Sequence, residues 1–170
     1  MTRAFAVLAS VALLAGTNLA GQSKRDSLEG AWQTVEVTVT GPGARTITIP
    51  EPRPNLALVT ASYYSRVEIH ADAERPMLAD AARATADELR AVWGPFVGEA
   101  GRYEMTGDNR ITMRPIVAKN PALMKSGAFV TYIYKLQGDT MWLTYEKNQD
   151  GPIPNPVTVK LQRIEHAGGR

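Results

Sequence analysis

Residue types that usually carry catalysis or metal binding are scarce in this 170-residue chain. It contains two histidines, His70 and His166, and no cysteine. Neither histidine has a second ligand at metal-site spacing, and no acidic run resembles a calcium-binding loop. The lack of cysteine also excludes disulfides, thiol nucleophiles and thiolate metal sites. We therefore predict no metal site, and no cofactor is implied.

Nucleophilic catalysis has no recognisable motif either. A Gly-x-Ser-x-Gly sequence is absent, and Lys125-Ser126-Gly127 is typical of a turn rather than of a nucleophile. Three carboxylates on predicted strands, Glu36, Glu104 and Glu146, are candidates for a general acid or base. An isomerase or cyclase would need one of them buried beside tyrosine hydroxyls with a raised pKa.

Tyrosine and methionine side chains recur on the apolar faces of the predicted strands. One interpretation is ordinary core filling, and a solid core would suit a structural envelope module without a ligand. The other is a lumen in which tyrosine hydroxyls orient a small hydrophobic ligand while flexible methionines adapt to its shape. On the second interpretation the candidate ligand-binding residues are Tyr64, Tyr103, Met113, Tyr132, Tyr134, Met141 and Tyr145.

Two hairpins position most of these side chains. The dipeptide Gly138-Asp139 separates two runs rich in aromatic and β-branched residues, which predicts a two-residue turn. Pairing across it places Tyr132 opposite Tyr145, Tyr134 opposite Leu143 and Thr131 opposite Glu146. A three-residue turn at Gly107-Asp108-Asn109 likewise places Tyr103 opposite Met113, so that apolar residues share one face.

The same register places three charged side chains, Arg102, Arg114 and Glu146, on the solvent face. The inverted register would turn them into the lumen, where arginines suit a carboxylate ligand.

The whole chain predicts eight or nine short antiparallel strands, a number that closes into a barrel. An alanine-rich segment at about 77–97 changes to helical periodicity, and Thr85 to Glu88 has capping-box spacing. We therefore expect an all-β domain over 30–165 with one helical insertion, followed by a tail over 166–170. The apolar helical residues Leu89, Val92, Trp93 and Phe96 are expected to cover the sheet.

The first residues predict export. Arg3 precedes an apolar run without charge from Ala4 to Gly16, which is typical of a signal peptide over 1–20 and too short to span a bilayer. An uncleaved anchor is the alternative, and 21–29 is expected to be a linker. We expect a periplasmic or secreted bacterial protein without membrane insertion after cleavage. A net charge of +2, with scattered basic residues, gives no electrostatic basis for nucleic acid binding.

Several motifs resemble the bacterial lipocalin-like domain family of the calycin group. They are Gly30-Ala31-Trp32, Tyr63-Tyr64-Ser65, and the segments WGPFVGEAGRYE (93–104), RPIVAKNP (114–121) and NPVTVKLQRIE (155–165). The resemblance implies a ligand-binding barrel, although the family has no common biochemical role. It also implies that Trp32 on the first strand packs against Arg163 on the last strand and closes the barrel base. The helical segment in the middle of the chain departs from the typical lipocalin pattern.

Overall fold

The computed structural model describes residues 28–48, 54–71 and 73–168. The predicted signal peptide over 1–20 and most of the predicted linker lie outside these residues. Within them are a short helix, a single 3-10 turn at Pro121–Met124 and ten strands. The strands are β1 (Gly30–Val39), β2 (Arg45–Thr48), β3 (Asn55–Val59), β4 (Tyr63–Ile69), β5 (Phe96–Met105), β6 (Arg110–Ala118), β7 (Val130–Gln137), β8 (Thr140–Asn148), β9 (Gly151–Pro152) and β10 (Val157–His166).

Eight of the strands close into an antiparallel barrel. Their order around the ring is β1-β3-β4-β5-β6-β7-β8-β10, and β10 pairs with both β8 and β1. The two remaining strands lie outside the ring, because β2 pairs only with β1 and β9 only with β8. Closure leaves the eight barrel strands without an unpaired edge, and the predicted barrel is confirmed.

Both predicted hairpin registers are confirmed over the residues that face inward. Tyr132 pairs with Tyr145, and Tyr134 pairs with Leu143. Gly138 has φ +58°, which a type II′ turn requires at its first central position. In the second hairpin Tyr103 pairs with Met113.

One predicted pair in the first hairpin is wrong. A bulge after Thr131 shifts the ladder, so that Thr131 pairs with Lys147 instead of Glu146. A bulge adds one residue to one strand only, and turn chemistry at the other end of the hairpin does not reveal it.

The helix is shorter than expected. Helix α1 spans Ala86–Trp93, and the segment that precedes it from 77 is not helical. Thr85 forms the predicted capping box with Glu88. No residue of α1 is buried, and Trp93 is 51% exposed, so the expectation that this helix covers the sheet is wrong. Phe96 already belongs to β5, whose pairing with β4 replaces the helical pattern.

Trp32 and Arg163, which the resemblance implied would close the barrel base, are in contact. The two residues pair between β1 and β10, and the guanidinium carbon of Arg163 lies 4.1 Å from the Trp32 ring centroid. The Trp32 indole Nε1 donates to the Leu28 carbonyl at 3.0 Å. Arg163 donates to the Asp139 carboxylate at 3.1 Å and to the carbonyl of Glu29. This contact therefore joins the first strand, the last strand and the β7–β8 turn.

Inward-facing residues of the barrel strands form one continuous core. Its buried members are Leu28, Trp32, Tyr64, Tyr103, Ile111, Val130, Tyr132, Met141, Leu143 and Leu161. In the described part of the chain no helix is long and apolar enough to cross a membrane.

Candidate functional site

The barrel interior contains a small enclosed cavity. About 50 Å³ is available there to the centres of water molecules, which is room for a few waters. Pockets for drug-sized ligands are usually several times larger, on the order of 300 Å³ or more. The lining is mostly apolar and comprises Leu28, Trp32, Thr34, Ala57, Leu58, Val59, Tyr64, Ser65, Arg66, Glu68, Tyr103, Ile111, Met113, Tyr132, Met141, Leu143, Val159 and Leu161.

Five of the seven predicted ligand-binding residues line this cavity. They are Tyr64, Tyr103, Met113, Tyr132 and Met141. The other two, Tyr134 and Tyr145, pack against the core without lining the cavity. The interior is thus filled by side chains over most of its volume and open in one place. Both interpretations of the tyrosines, core filling and cavity lining, describe part of it.

Two cavity tyrosines from neighbouring strands differ in their hydrogen bonding. The Tyr103 hydroxyl donates to the Thr60 carbonyl at 2.8 Å. Tyr64 is only 5% exposed, and its buried hydroxyl has no partner with hydrogen-bonding geometry among the described residues. A buried hydroxyl without a partner costs free energy, so native proteins usually satisfy such a group with a side chain, a water molecule or a ligand.

Three charged side chains lie at the same end of the interior. The Arg66 Nε donates to Glu99 Oε1 at 3.1 Å, and an Arg66 guanidinium nitrogen lies 4.0 Å from Glu68 Oε1. The Glu99 side chain is 7% exposed and that of Arg66 is 24% exposed. His70 Nε2 lies 2.7 Å from Glu68 Oε2 on the outer side of this group. We call Arg66, Glu68 and Glu99 the interior charge cluster.

The local field keeps Arg66 and Glu68 ionised. Burial alone would raise the pKa of Glu68, but the hydrogen bond with His70 and the charge of Arg66 bring that pKa below its ordinary value. Burial would likewise lower the pKa of Arg66, but the neighbouring charges of Glu99 and Glu68 bring that pKa above its ordinary value. The interior therefore holds a guanidinium beside the Glu68 carboxylate, which is ionised above its lowered pKa, while Glu99 accepts from Arg66 without lining the cavity.

The tyrosines around this cluster stay protonated. Burial raises the pKa of Tyr64 above its ordinary value, and the charge of Glu99 raises it further. Burial also raises the pKa of Tyr132 well above that value, with a further contribution from Tyr145, whose ring centroid is 4.4 Å away. Each hydroxyl is thus available as a neutral hydrogen-bonding group at physiological pH.

Sequence reasoning did not find the interior charge cluster. The alternation of β4 was the available signal, because Tyr64, Arg66 and Glu68 fall on one face of a strand with period two. Glu99 pairs with Arg66 across the β4–β5 ladder and completes the group. The interior face of β4 is thus its polar face, whereas Val67 on the opposite face is 45% exposed.

The carboxylates predicted as possible acid–base groups do not reach the cavity. Glu104 accepts from Arg114 at 3.0 Å, and Glu146 accepts from Arg110 at 2.7 Å. The hydrogen bonds from Arg110 lower the pKa of Glu146, which is opposite to the rise that the isomerase hypothesis required. Glu36 pairs with Lys160 between β1 and β10 and does not line the cavity either.

The predicted solvent-facing orientation of the arginines is confirmed. Arg102 and Arg114 are exposed, and Arg102 lies over the ring of Tyr63 at 4.8 Å on the outer wall. Among the described residues no group of three or more histidine, aspartate or glutamate side chains is placed to hold a metal ion.

A second concave site lies on the outer wall of β4, β5 and β6. Small residues such as Gly98 and Ala100 form part of its lining, and the rings of Trp93 and Phe96 meet edge to face with centroids 6.1 Å apart. Arg66 and Glu99 of the interior charge cluster also border this groove. This open groove has a volume of about 590 Å³. We call it the outer groove and treat it as the competing binding site.

Comparisons with known proteins assign the chain to no family by sequence. No protein-family profile and no curated protein matches the chain. Among solved structures, a lipocalin-like protein from Bacteroides uniformis is similar over 81% of this chain and 99% of its own, with 13% identity and a TM-score of 0.45. A de novo designed fluorescence-activating β-barrel is similar over 82% of this chain and 95% of its own, with 12% identity and a TM-score of 0.38. With eight antiparallel strands closed through β1 and β10, the chain folds as a closed antiparallel β-barrel.

Proposed function

We propose that this barrel binds a small, largely apolar molecule in its interior. The observation that carries the proposal is the buried Tyr64 hydroxyl, which lacks a partner and belongs to the lining of a mainly apolar cavity. An apolar cavity with few convergent polar groups is the usual composition of a small-molecule site. Tyr64 would then orient the ligand, while Tyr103 remains occupied by the Thr60 carbonyl.

The present volume limits what enters without movement. A cavity of about 50 Å³ holds a few water molecules, so a ligand the size of one aromatic ring must displace side chains. Met113 and Met141 line the cavity, and methionine changes shape with little strain because its side chain is unbranched and flexible. Binding is therefore expected to couple to repacking of these two methionines.

Methionine methyl NMR tests the proposal directly. The chain has six methionines, of which Met113 and Met141 line the cavity, whereas Met77 is 93% exposed. Protein labelled with ¹³C at the methionine methyls is titrated with small aromatic and aliphatic compounds. Interior binding shifts the Met113 and Met141 signals and leaves Met77 unchanged. Native mass spectrometry of undenatured protein identifies any molecule that co-purifies.

The outer groove provides the alternative result. A compound that shifts only groups near Trp93 and Phe96 binds outside the barrel, and the interior proposal then fails for that compound. The variant Trp93→Ala serves as the matched control, since it removes an exposed wall of the groove without changing the cavity lining. Unchanged affinity in this variant supports the interior site.

We also propose that the protein is exported. Support comes from the sequence over 1–20, with Arg3 followed by an uncharged apolar run. Expression of the full chain in a bacterial host, followed by cell fractionation and N-terminal sequencing, tests this. A full-length product retained in the cytoplasm would contradict export.

A further inference from the structure

We infer that the interior site prefers ligands whose head group donates hydrogen bonds, above all a protonated amine, over ligands with a carboxylate head. This inference rests on the proposed interior binding and adds the chemical class of the ligand. Three observations support it. They are the buried Tyr64 hydroxyl without a hydrogen bond of normal geometry, the net charge of the interior charge cluster, and the contacts of the Arg66 guanidinium with Glu99 and Glu68.

The Tyr64 hydroxyl fixes where the head group lies. It is buried, belongs to the cavity lining and has no hydrogen bond of normal geometry among the described residues, and the Glu99 carboxylate lies close enough to raise its pKa. The same lining includes Arg66 and Glu68 from alternate positions on β4. A ligand whose polar atom meets Tyr64 is therefore placed at the end of the cavity that holds the interior charge cluster.

The charge of the cluster favours a cation there. Two carboxylates, Glu68 in the cavity lining and Glu99 behind it, face one guanidinium, so the formal charges of these three side chains sum to minus one. A protonated amine neutralises this excess, and an ionised carboxylate adds to it. Inside a low-dielectric interior such a difference is much larger than it is in water.

The Arg66 guanidinium has little remaining capacity to bind an anionic head group, because it already contacts two carboxylates. Its Nε donates to Glu99 at 3.1 Å, and its guanidinium lies 4.0 Å from Glu68 on the same side of the barrel. A carboxylate ligand would have to compete with both partners for the guanidinium. The arginines that sequence reasoning offered for an anion, Arg102 and Arg114, lie on the outer wall instead.

Three probes with the same phenylethyl body test the inference. Phenethylamine, 2-phenylethanol and phenylacetate differ only in the head group, and at pH 7.5 the first is a cation and the last an anion. Each is titrated into the labelled protein, and Kd is measured from the methyl signals of Met113 and Met141. We expect the amine to bind roughly 10- to 100-fold more tightly than the carboxylate, the range for one hydrogen bond to a charged group.

Variants assign the preference to named groups. Glu99→Gln removes one negative charge and is expected to reduce the ratio between amine and carboxylate by about tenfold. Tyr64→Phe is expected to weaken all three probes, because a neutral hydroxyl accepts from the amine or the alcohol and donates to the carboxylate. Glu104→Gln is the matched control, because this carboxylate pairs with Arg114 and does not line the cavity, so its removal leaves the ratio unchanged. Glu68→Gln provides a second carboxylate test if Glu99→Gln does not fold.

The outcomes separate the two proposals. Equal affinity for the three head groups, or tightest binding of phenylacetate, overturns the inferred preference while interior binding stands. An amine preference that persists in both glutamate variants also overturns it, because the cluster is then not its source. If none of the probes moves Met113 and Met141, interior binding fails and the inferred preference fails with it.

Discussion

Replacement of Arg66 by methionine is expected to destabilise the barrel more than any single replacement of its acidic partners. Methionine keeps most of the apolar stem of the side chain and removes only the charge. Glu99, 7% exposed, loses the guanidinium 3.1 Å away, and Glu68 loses its partner 4.0 Å away. Two buried carboxylates are then left without the cation between them.

The expected size follows from these distances. With an effective dielectric constant of about 20, a unit charge pair at 3.1 Å is worth roughly 5 kcal/mol before the desolvation of both partners is counted. Removing one partner of a buried pair usually costs about 3–5 kcal/mol, because the other charge stays buried. For Arg66→Met we expect about 3 kcal/mol, at the low end, since the Arg66 side chain is 24% exposed.

Glu99→Gln is expected to cost less, about 1–2 kcal/mol, because Arg66 keeps Glu68 and some contact with water. The measurement is urea unfolding at pH 7, followed by tryptophan fluorescence and far-UV circular dichroism. Arg102→Met is the control, since this arginine is exposed on the outer wall and its loss is expected to cost below about 0.5 kcal/mol.

Two results would refute this reasoning. If Arg66→Met is as mild as Arg102→Met, the interior charge cluster does not hold buried carboxylates that depend on the guanidinium. If Glu99→Gln costs more than Arg66→Met, the pairing with Glu68 is not available to Arg66. The double variant Arg66→Met/Glu99→Leu is expected to be more stable than Arg66→Met alone, because a buried unpaired charge is removed.

Three further predictions concern stability without ligand. Tyr64→Phe leaves the unfolding free energy unchanged or raises it by about 1 kcal/mol, whereas Tyr103→Phe lowers it by about 1 kcal/mol; thermal unfolding of both checks this. The pKa of Glu68 in the folded protein lies below its ordinary 4.5, so its ionised form contributes stability above pH 4.5. This stability is lost as the pH falls through the lowered pKa. In denaturant titrations from pH 7 to pH 3 the Glu68→Gln variant is therefore expected to lose less stability than the unmodified protein. Arg163→Met lowers the unfolding free energy by about 2 kcal/mol in urea, because it removes both the contact with Trp32 and two hydrogen bonds, and a loss below about 0.5 kcal/mol would contradict that role.

The β7–β8 hairpin was predictable because local signals determine it. Gly138 supplies the turn, and the period-two pattern then fixes which residues face inward, from Tyr132 to Tyr145. The bulge after Thr131 was not predictable, since it depends on the ladder beyond the turn. Four of the five predicted residues that line the cavity lie on the hairpins that flank Gly107 and Gly138, whereas Tyr64 lies on the polar face of β4.

The β3–β4 hairpin shows where such reasoning fails. Its inward face carries Arg66 and Glu68, while Leu58 and Val67 are each 45% exposed. A rule that places apolar residues inside cannot orient this pair of strands, because Ala57, Val59 and Tyr64 face inward together with the charged residues. Only the neighbouring strands reveal the true orientation, because Glu99 on β5 pairs with Arg66 and offsets the free-energy cost of burying most of its side chain.

The sequence pattern predicted too long a helix, again because local composition does not report tertiary contacts. Alanine has a high helix propensity, but a short helix needs tertiary packing to persist. Neither the segment that precedes Ala86 nor α1 has a buried residue, and only Ala86–Trp93, which follows the Thr85 cap, is helical.

The pairing of β1 with β10 makes the two ends of the barrel sequence neighbours. Gly30 pairs with His166, and Trp32 pairs with Arg163, so the ring closes only after the last strand has been synthesised. Contacts between residues so distant in sequence slow folding, because the chain entropy must be lost before they form. A circular permutant that joins 30 to 166 by a short linker and opens the turn at Gly107 keeps every strand pairing. In that chain the Trp32–Arg163 contact becomes local, and the β5–β6 hairpin becomes the distant step that completes the ring.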